Sequence, residues 1–448
     1  MRRDPTRRAA LLAGAALLAG CETVTDTFDG LFGERKVRLT GERRPVLGTE
    51  RPLGADAAYA QPVSLPPAAA RADWPQAGGT IDHAPGHPAL GTPLAEAWRT
   101  SIGTGAAYRR RLTAPPIMAG DAVYAMDAFG LTTALDAATG RRRWDLDTRR
   151  EKERDGALGG GLAFEGGRLF AVTGLAEAMA IEPAEGKIAW RVALPAPARG
   201  APTVAGGRIL VPTTENQLVA LSVEDGRRLW TYRGQPVVTM SLGLPAPAVE
   251  GDIVVAGFGS GELAAIRATD GRAIWSETLA SARGGGLADL AAITAMPIID
   301  RNRVFATGLG GLTIALDLRS GRRLWEREVA AGETPWSAGN WLFLLGGNGE
   351  LACLGRDDGR VRWLRPLGRF GDERRRRDPI NWGPPVLAGG RLLVAGSHGR
   401  IAVVDPADGE LTATVRLASG VTLQPAVADG TLYLLTDDAT VVAMRARG

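Results

Sequence analysis

The stretch Ala134-Leu-Asp-Ala-Ala-Thr-Gly-Arg-Arg-Arg-Trp144 decides the fold, because close variants of it recur along the 448-residue chain. Each complete copy joins a short apolar run, a turn ending in glycine, and a tryptophan four residues after that glycine. The other complete copies span residues 180–190, 220–230, 265–275, 315–325 and 353–363, and a seventh, 403–413, has lost its tryptophan. Successive turn glycines are separated by 38 residues (Gly321 to Gly359) to 50 residues (Gly271 to Gly321). That period is typical of four-stranded propeller blades.

The count of upstream strands predicts eight blades. Apolar strands precede each motif, and the first of them occurs eight times, at residues 123–125, 169–171, 209–211, 253–255, 304–306, 341–343, 392–394 and 432–434. The last copy runs through residues 441–444 without an outer strand, whereas residues 95–99 form an orphan strand with its own tryptophan. We therefore predict an all-β fold, an eight-bladed β-propeller of four-stranded antiparallel blades, closed by the N-terminal strand.

The repeated tryptophans are the predicted contacts between blades. One blade cannot bury an indole ring alone, so each ring is expected to stack on the neighbouring blade. These blade-docking residues are Trp98, Trp144, Trp190, Trp230, Trp275, Trp325 and Trp363. Cys353 occupies the position that alanine holds in the other complete copies, so it is expected to be a buried, structural cysteine.

The N-terminus has the pattern of a secreted lipoprotein. Basic residues precede an apolar run over residues 9–20, which is too short to span a bilayer and ends in Leu18-Ala-Gly-Cys21. We predict a signal peptide over residues 1–20, lipidation of Cys21, a flexible linker over residues 21–72 and the propeller over residues 73–448. Two or more acyl chains on Cys21 give stable membrane anchoring.

Charge and metal-ligand patterns exclude several functions. With 53 Lys and Arg against 49 Asp and Glu, the chain has a mixed surface rather than a nucleic-acid-binding stripe. His83 and His87 lie in a Gly/Pro-rich loop without a carboxylate or thiol at ligand spacing, so no metal site is predicted. We predict no catalytic residue and no cofactor.

The chain resembles the BamB lipoproteins, a family of propellers with pyrroloquinoline-quinone (PQQ)-like repeats. The resemblance is specifically to the alphaproteobacterial branch. It rests on the sequence Leu18-Ala-Gly-Cys21, which resembles a bacterial lipobox, and on residues 74–79, 87–90, 98–103, 335–341 and 381–389. It implies a non-catalytic scaffold on the periplasmic face of the outer membrane that assists the insertion of β-barrel proteins. It implies a single copy in a hetero-complex, contacting the POTRA domains of a BamA-like protein and nascent outer-membrane proteins. Two alternatives stay open: a PQQ-dependent quinoprotein, whose usual vicinal disulfide and calcium cage have no counterpart here, and a generic envelope adaptor.

The resemblance also places the partner contacts in two loops. The matching residues are Met240, Ser241 and Leu242 in the first loop and Asp289 and Leu290 in the second. A basic residue common in the family is replaced by Gly243, and a second acidic position is lost. The alternative is that Met240 and Leu242 pack beneath their loop.

A basic insertion, residues 372–378 with Arg374 to Arg377, interrupts the regular spacing of the repeats. Its simplest interpretation is a solvated loop. The alternative is a contact with anionic lipid or with an acidic partner.

Overall fold

Eight antiparallel sheets form the blades of a propeller. The computed structural model describes residues 53–108, 110–149, 159–237, 243–279 and 291–447. Within these residues each blade has four strands, and in seven blades the strands are hydrogen-bonded in chain order. The predicted fold is therefore confirmed.

The strands of the first four blades are short and regularly spaced. Blade 1 contains β2 (Ile117–Ala119), β3 (Ala122–Met126), β4 (Leu131–Asp136) and β5 (Arg142–Asp147). Blade 2 contains β6 (Gly160–Glu165), β7 (Arg168–Thr173), β8 (Glu177–Glu182) and β9 (Lys187–Ala193). Blade 3 contains β10 (Thr203–Ala205), β11 (Arg208–Thr213), β12 (Gln217–Ser222) and β13 (Arg228–Arg233). Blade 4 contains β14 (Ala248–Glu250), β15 (Ile253–Gly257), β16 (Glu262–Arg267) and β17 (Ala273–Thr278).

The remaining blades follow the same plan, with one insertion. Blade 5 contains β18 (Ile298–Asp300), β19 (Arg303–Thr307), β20 (Thr313–Asp317) and β21 (Arg323–Arg327). Blade 6 contains β22 (Trp336–Ala338), β23 (Trp341–Leu345), β24 (Glu350–Gly355) and β25 (Val361–Pro366), and is followed by a hairpin of β26 (Phe370–Asp372) and β27 (Arg377–Pro379). Blade 7 contains β28 (Val386–Ala388), β29 (Arg391–Gly396), β30 (Arg400–Val404) and β31 (Leu411–Arg416). Blade 8 contains β32 (Ala426–Ala428), β33 (Thr431–Leu435), β34 (Thr440–Ala446) and, as its outer strand, β1 (Leu94–Ser101).

The ring is closed by strands from opposite ends of the sequence. β1 pairs antiparallel with β34, and Trp98 lies opposite Ala443. This pairing confirms the predicted closure by the N-terminal strand. It also supplies blade 8 with the outer strand and the tryptophan that its own repeat lacks.

Small residues opposite the tryptophans keep the register uniform. Ala134 faces Trp144 across β4 and β5, and a β-bulge follows this pair. In blade 6, Cys353 faces Trp363 in the same way, and its side chain is fully buried. Burial raises the pKa of the Cys353 thiol, which keeps it protonated and unreactive.

Each docking tryptophan packs on a turn glycine of the next blade. The glycine has positive φ, as Gly226 does at +72°, and a Cβ atom built on Gly226 would lie 2.8 Å from the Trp190 ring. The indole N–H also donates to a carbonyl near that turn. These donor–acceptor pairs are Trp98–Ala137, Trp144–Pro183, Trp190–Val223, Trp230–Ala268, Trp275–Leu318, Trp325–Arg356 and Trp363–Pro406.

The junction between blades 7 and 8 explains why one repeat has lost its tryptophan. Ala413 occupies the tryptophan position of β31, opposite Val403. In blade 8, β34 pairs with β1, so no turn joins its last two strands. An indole at residue 413 therefore has no glycine turn on which to dock, and alanine is sufficient there.

Residues 69–90, here named the channel loop, run inside the ring and contact every blade in circular order. The loop closes on itself where Ala69 pairs with Pro88. Its residues accept hydrogen bonds from the inner strands or the turns that follow them: Arg71 from Asp429, Trp74 from Met118, Pro75 from Phe164, Gln76 from Val204, Ile81 from Val249, Asp82 from Ile299, Gly86 from the Trp336 indole and Pro88 from Gly389. The channel loop thereby satisfies inner-edge backbone groups that have no neighbouring strand.

His83 fixes the channel loop to blade 5. Its Nδ1 donates to the Pro297 carbonyl at 2.7 Å, and burial lowers the pKa of its imidazole to about 4. His87 likewise donates from Nδ1 to Pro66 and accepts from the Gly390 N–H at Nε2. Both histidines are therefore occupied by backbone groups.

His83 should make the fold sensitive to acid. Because the unfolded imidazole binds a proton near pH 6.5 and the folded one only near pH 4, stability contributed by the neutral ring is lost as the pH falls below 6.5. Between pH 7 and pH 4.5 we expect a loss of about 2–3 kcal/mol in the free energy of unfolding from this group alone. His83→Asn tolerates the positive φ and keeps a donor, so it should lack this component when both proteins are denatured in urea across that pH range. Parallel pH profiles for the two proteins would contradict the prediction.

Residues 53–68 precede the channel loop and lie against blade 6. The Asp56 N–H donates to Val361, and the Tyr59 ring lies 5.9 Å from that of Trp341. The division at residue 72 between linker and propeller stays a prediction, but in the described part of the predicted linker the chain contacts the propeller. Among the described residues there is no helix long and apolar enough to cross a bilayer.

Candidate partner-binding face

One face of the ring opens into a funnel of about 960 Å³. Its wall comes from the connections between successive blades and from the turns between the second and third strands of several blades, such as Leu309 and Asp437. Its floor includes Ala77 of the channel loop, which packs with Ala201, Ala246 and Met296. The funnel is therefore a concave site with an apolar floor, which is the usual form of a binding pocket.

Arginine dominates the charge of the funnel. Arg110 and Arg111 come from the connection between blades 8 and 1, Arg199 from that between blades 2 and 3, and Arg369 from that between blades 6 and 7. Within the described part of the chain, none of these four guanidinium groups forms an ion pair, although that of Arg110 lies over the Phe129 ring. The buried Nε of Arg199 also has no hydrogen-bond partner there.

Two carboxyl groups among the described lining residues, those of Glu333 and Asp437, offset this charge only in part. Burial raises the pKa of Glu333 to about 7, so it is partly protonated at neutral pH. Burial also raises the pKa of Asp437, although a hydrogen bond from Thr422 and the charge of Arg111 act in the opposite direction. Four arginines against these two carboxyls give the described lining of the funnel a positive charge.

An aromatic side chain stands beside the funnel. Ala107 and Arg110 form a tight backbone bridge, and Tyr108 in that turn is 98% exposed. Leu309, which lines the funnel, is also exposed. Sequence reasoning missed both, although the run Tyr108-Arg-Arg-Arg111 between two strands was a signal that could have been used.

The residues predicted from the sequence to bind a partner lie outside the described residues. These are Met240, Ser241, Leu242, Asp289 and Leu290, and the same holds for the predicted lipidation site, Cys21. Gly243 and Leu244, directly after the first loop, line the funnel, and Ala291 follows the second. Both loops connect the outer strand of one blade to the inner strand of the next. The segments that carry the funnel arginines make the same kind of connection.

The basic insertion forms the β26–β27 hairpin beside the funnel. Phe370 and Pro379, at its two ends, line the cavity, while Arg374 to Arg377 are exposed. Arg375 lies 3.8 Å from Asp372, a weak surface pair. The role of these four arginines stays a prediction.

The described side chains of the funnel do not resemble a metal centre. Among the described residues no group of three or more His, Cys, Asp and Glu side chains is arranged to hold a metal ion. Cys353 is the free cysteine of this part, and it is buried between strands rather than in the funnel. The described part of the funnel instead combines positive charge with a concave apolar floor.

The fold and this face define a propeller of the PQQ-like repeat class with a binding funnel at one end. The sequence comparisons then give the family. The family model described as outer membrane protein assembly factor BamB matches residues 128–365 and 366–448. The chain belongs to the BamB family.

Curated relatives agree with this assignment. The chain is 30% identical over 360 residues to the outer membrane protein assembly factor BamB of Escherichia coli K12, covering 78% of this chain and 88% of the relative. It is 28% identical to that of Yersinia pestis, covering 77% and 87%. Family membership confirms the predicted resemblance and, with it, the interpretation as an assembly factor rather than an enzyme.

Solved structures share the fold but do not separate the two functions. BamB from Moraxella catarrhalis superposes with a TM-score of 0.68 at 17% identity, covering 79% of this chain and all of that one. Quinohemoprotein alcohol dehydrogenase from Comamonas testosteroni gives 0.67 at 14% identity, covering 85% and 82%. The blade architecture is common to both, so the family is decided by sequence.

Proposed function

We propose that this chain is a lipid-anchored scaffold of the β-barrel assembly machinery, held at the periplasmic face of the outer membrane through Cys21. It binds the POTRA domains of a BamA-like protein and assists the insertion of β-barrel proteins. The observation that carries the proposal is membership of a family whose relatives are named outer membrane protein assembly factors.

The placement of the loops supports a partner on the funnel face. Residues 238–242 and 280–290 connect blade 3 to blade 4 and blade 4 to blade 5. Met240 and Leu242 in the first connection offer apolar contact, and Asp289 in the second offers charge. A few such contacts carry most of the energy of a protein interface.

Replacing Met240 and Leu242 together with aspartate should reduce recovery of the barrel partner by about tenfold or more. The physical reason is that two carboxylates would have to be desolvated in an apolar contact. The measurement is quantitative mass spectrometry of proteins that co-purify with the full chain from detergent-solubilised membranes.

Leu411→Asp provides the matched control. Leu411 is an exposed apolar residue of β31, away from both loops, so its replacement should leave recovery unchanged. Full recovery with the Met240/Leu242 variant would reject these loops as the contact. Recovery of the wild-type chain alone, under conditions that preserve the complex, would reject the scaffold role.

A further inference from the structure

We propose that the funnel binds an acidic polypeptide segment of a partner protein, with an apolar side chain of that segment inserted towards the floor. This inference deepens the proposed scaffold function by specifying the chemistry of what the face holds. It depends on residues other than the two loops considered above.

The first support is the unbalanced positive charge. Arg110, Arg111, Arg199 and Arg369 all line the cavity, and Arg199 carries a buried N–H without an acceptor in the described residues. The Nε atoms of Arg208, Arg391 and Arg445, which do not line the cavity, are likewise without a partner there, so the support comes from the four positive charges rather than from this single donor. Carboxylates are the natural partners of guanidinium groups, because their two oxygens match its planar fork.

The second support is the apolar surface that accompanies the charge. The floor is formed by alanines and Met296, while Leu309 lines the wall and Tyr108 stands exposed beside it. Tyrosine and arginine are enriched among residues that dominate protein interfaces. An occupant needs an apolar group for the floor and negative charge near the mouth.

The geometry favours a polypeptide over a small anion or a membrane. The arginines come from three connections distributed around the ring rather than from one loop, so an extended ligand can contact more of them than a single small anion can. The channel loop contributes to the floor, so the cavity is concave, and a flat lipid surface cannot fill it. A peptide segment can place an apolar side chain on the floor. Its acidic residues can at the same time contact arginines of different connections.

The test uses the purified full chain and two short fluorescent peptides. One has a central Phe-Leu pair flanked by Asp and Glu, and the other has Lys in place of each acidic residue. Fluorescence anisotropy should show binding of the acidic peptide only. Arg111→Ser with Arg369→Ser, both at exposed positions, should weaken that binding by about tenfold or more.

The matched control removes the same charge from turns within blades. Arg227→Ser with Arg319→Ser changes exposed arginines that follow the third strands of blades 3 and 5, and should leave the affinity within about twofold of wild type. Tyr108→Ser, which leaves the charge intact, should also weaken binding.

Several results would overturn the proposal. These are equal binding of the acidic and basic peptides, equal loss in the two arginine variants, full displacement by inorganic phosphate at matched ionic strength, or arginine-dependent binding to phosphatidylglycerol vesicles without binding of the acidic peptide. Because the assay contains no membrane protein, its failure leaves the co-purification result standing. Failure of co-purification likewise leaves the peptide result interpretable.

Discussion

Trp363→Ala is expected to lower the free energy of unfolding by about 3–5 kcal/mol, the range for removing a large buried aromatic side chain. Trp363 packs on Gly409 of blade 7, donates to the Pro406 carbonyl at 2.9 Å and lies 6.1 Å from the Phe343 ring. Its loss leaves a cavity between two blades that the β-sheet backbone cannot close. Urea denaturation followed by far-ultraviolet circular dichroism measures the effect.

Two further variants distinguish the loss of contact between blades from nonspecific destabilisation. Trp363→Phe keeps most of the packing but loses the indole donor, so it should cost about 1–2 kcal/mol. Leu411→Ala removes an exposed residue from the neighbouring blade and should change stability by less than about 0.5 kcal/mol. If Trp363→Ala were no more destabilising than Leu411→Ala, blade docking would not be the basis of ring stability.

The blades were predictable because each one repeats the same local chemistry. A glycine with positive φ, a small residue opposite a tryptophan and a fixed period together specify a blade, as Gly140, Ala134 and Trp144 do. The exception at Ala413 was visible in the sequence, but its reason was not. It follows from the closure of the ring, which leaves blade 8 without the turn that receives an indole.

The channel loop was not predicted, because it has no period and few large apolar residues. Its bonds use mainly backbone carbonyls, such as those of Trp74, Ile81 and Asp82, and any residue type supplies a carbonyl. Gln76 is the exception, since its side-chain amide forms two hydrogen bonds with Val204. The abundance of Gly and Pro in residues 75–88 was therefore interpreted only as a loop.

The funnel could be predicted only in part, for a geometric reason. The family resemblance placed the partner contacts in two loops, and both are connections between blades. The arginines that meet in the cavity, however, are as far apart in sequence as Arg110 and Arg369 and follow no shared motif. The three-dimensional ring is needed to bring them together.

Arg356→Leu is expected to destabilise the propeller by about 3 kcal/mol, the lower end of the range for breaking a buried ion pair, because the Asp300 carboxylate then keeps only the Ser337 hydroxyl and the exposed Arg301 as partners. The Arg356 side chain is 5% exposed and donates from Nε to Asp300 Oδ2 at 2.9 Å and from Nη2 to the Asp300 carbonyl at 2.7 Å. This side chain joins blade 6 to blade 5. The backbone carbonyl of Arg356 also accepts the hydrogen bond from the Trp325 indole N–H. Equivalent positions in other blades hold Ala137, Pro183, Val223, Ala268, Leu318 and Pro406, so the backbone does not require arginine there.

The pH dependence identifies Asp300 as the source of this loss. Burial acts to raise the pKa of Asp300, but the Ser337 hydrogen bond, the Arg356 charge and the contact with Arg301 hold it below the usual value. The contribution of Asp300 to wild-type stability is therefore present above pH 3.8 and is lost as the pH falls further. Without Arg356 the desolvation remains, the pKa rises, and protonation relieves the penalty. The difference in unfolding free energy between wild type and Arg356→Leu should therefore shrink between pH 7 and pH 4. Adding Asp300→Asn should recover much of the lost stability at pH 7.

The control is Arg267→Leu, which breaks an exposed pair with Asp270 and should cost no more than about 1 kcal/mol. A difference between wild type and Arg356→Leu that did not change with pH would instead assign the loss to packing against Phe305, over which the guanidinium lies.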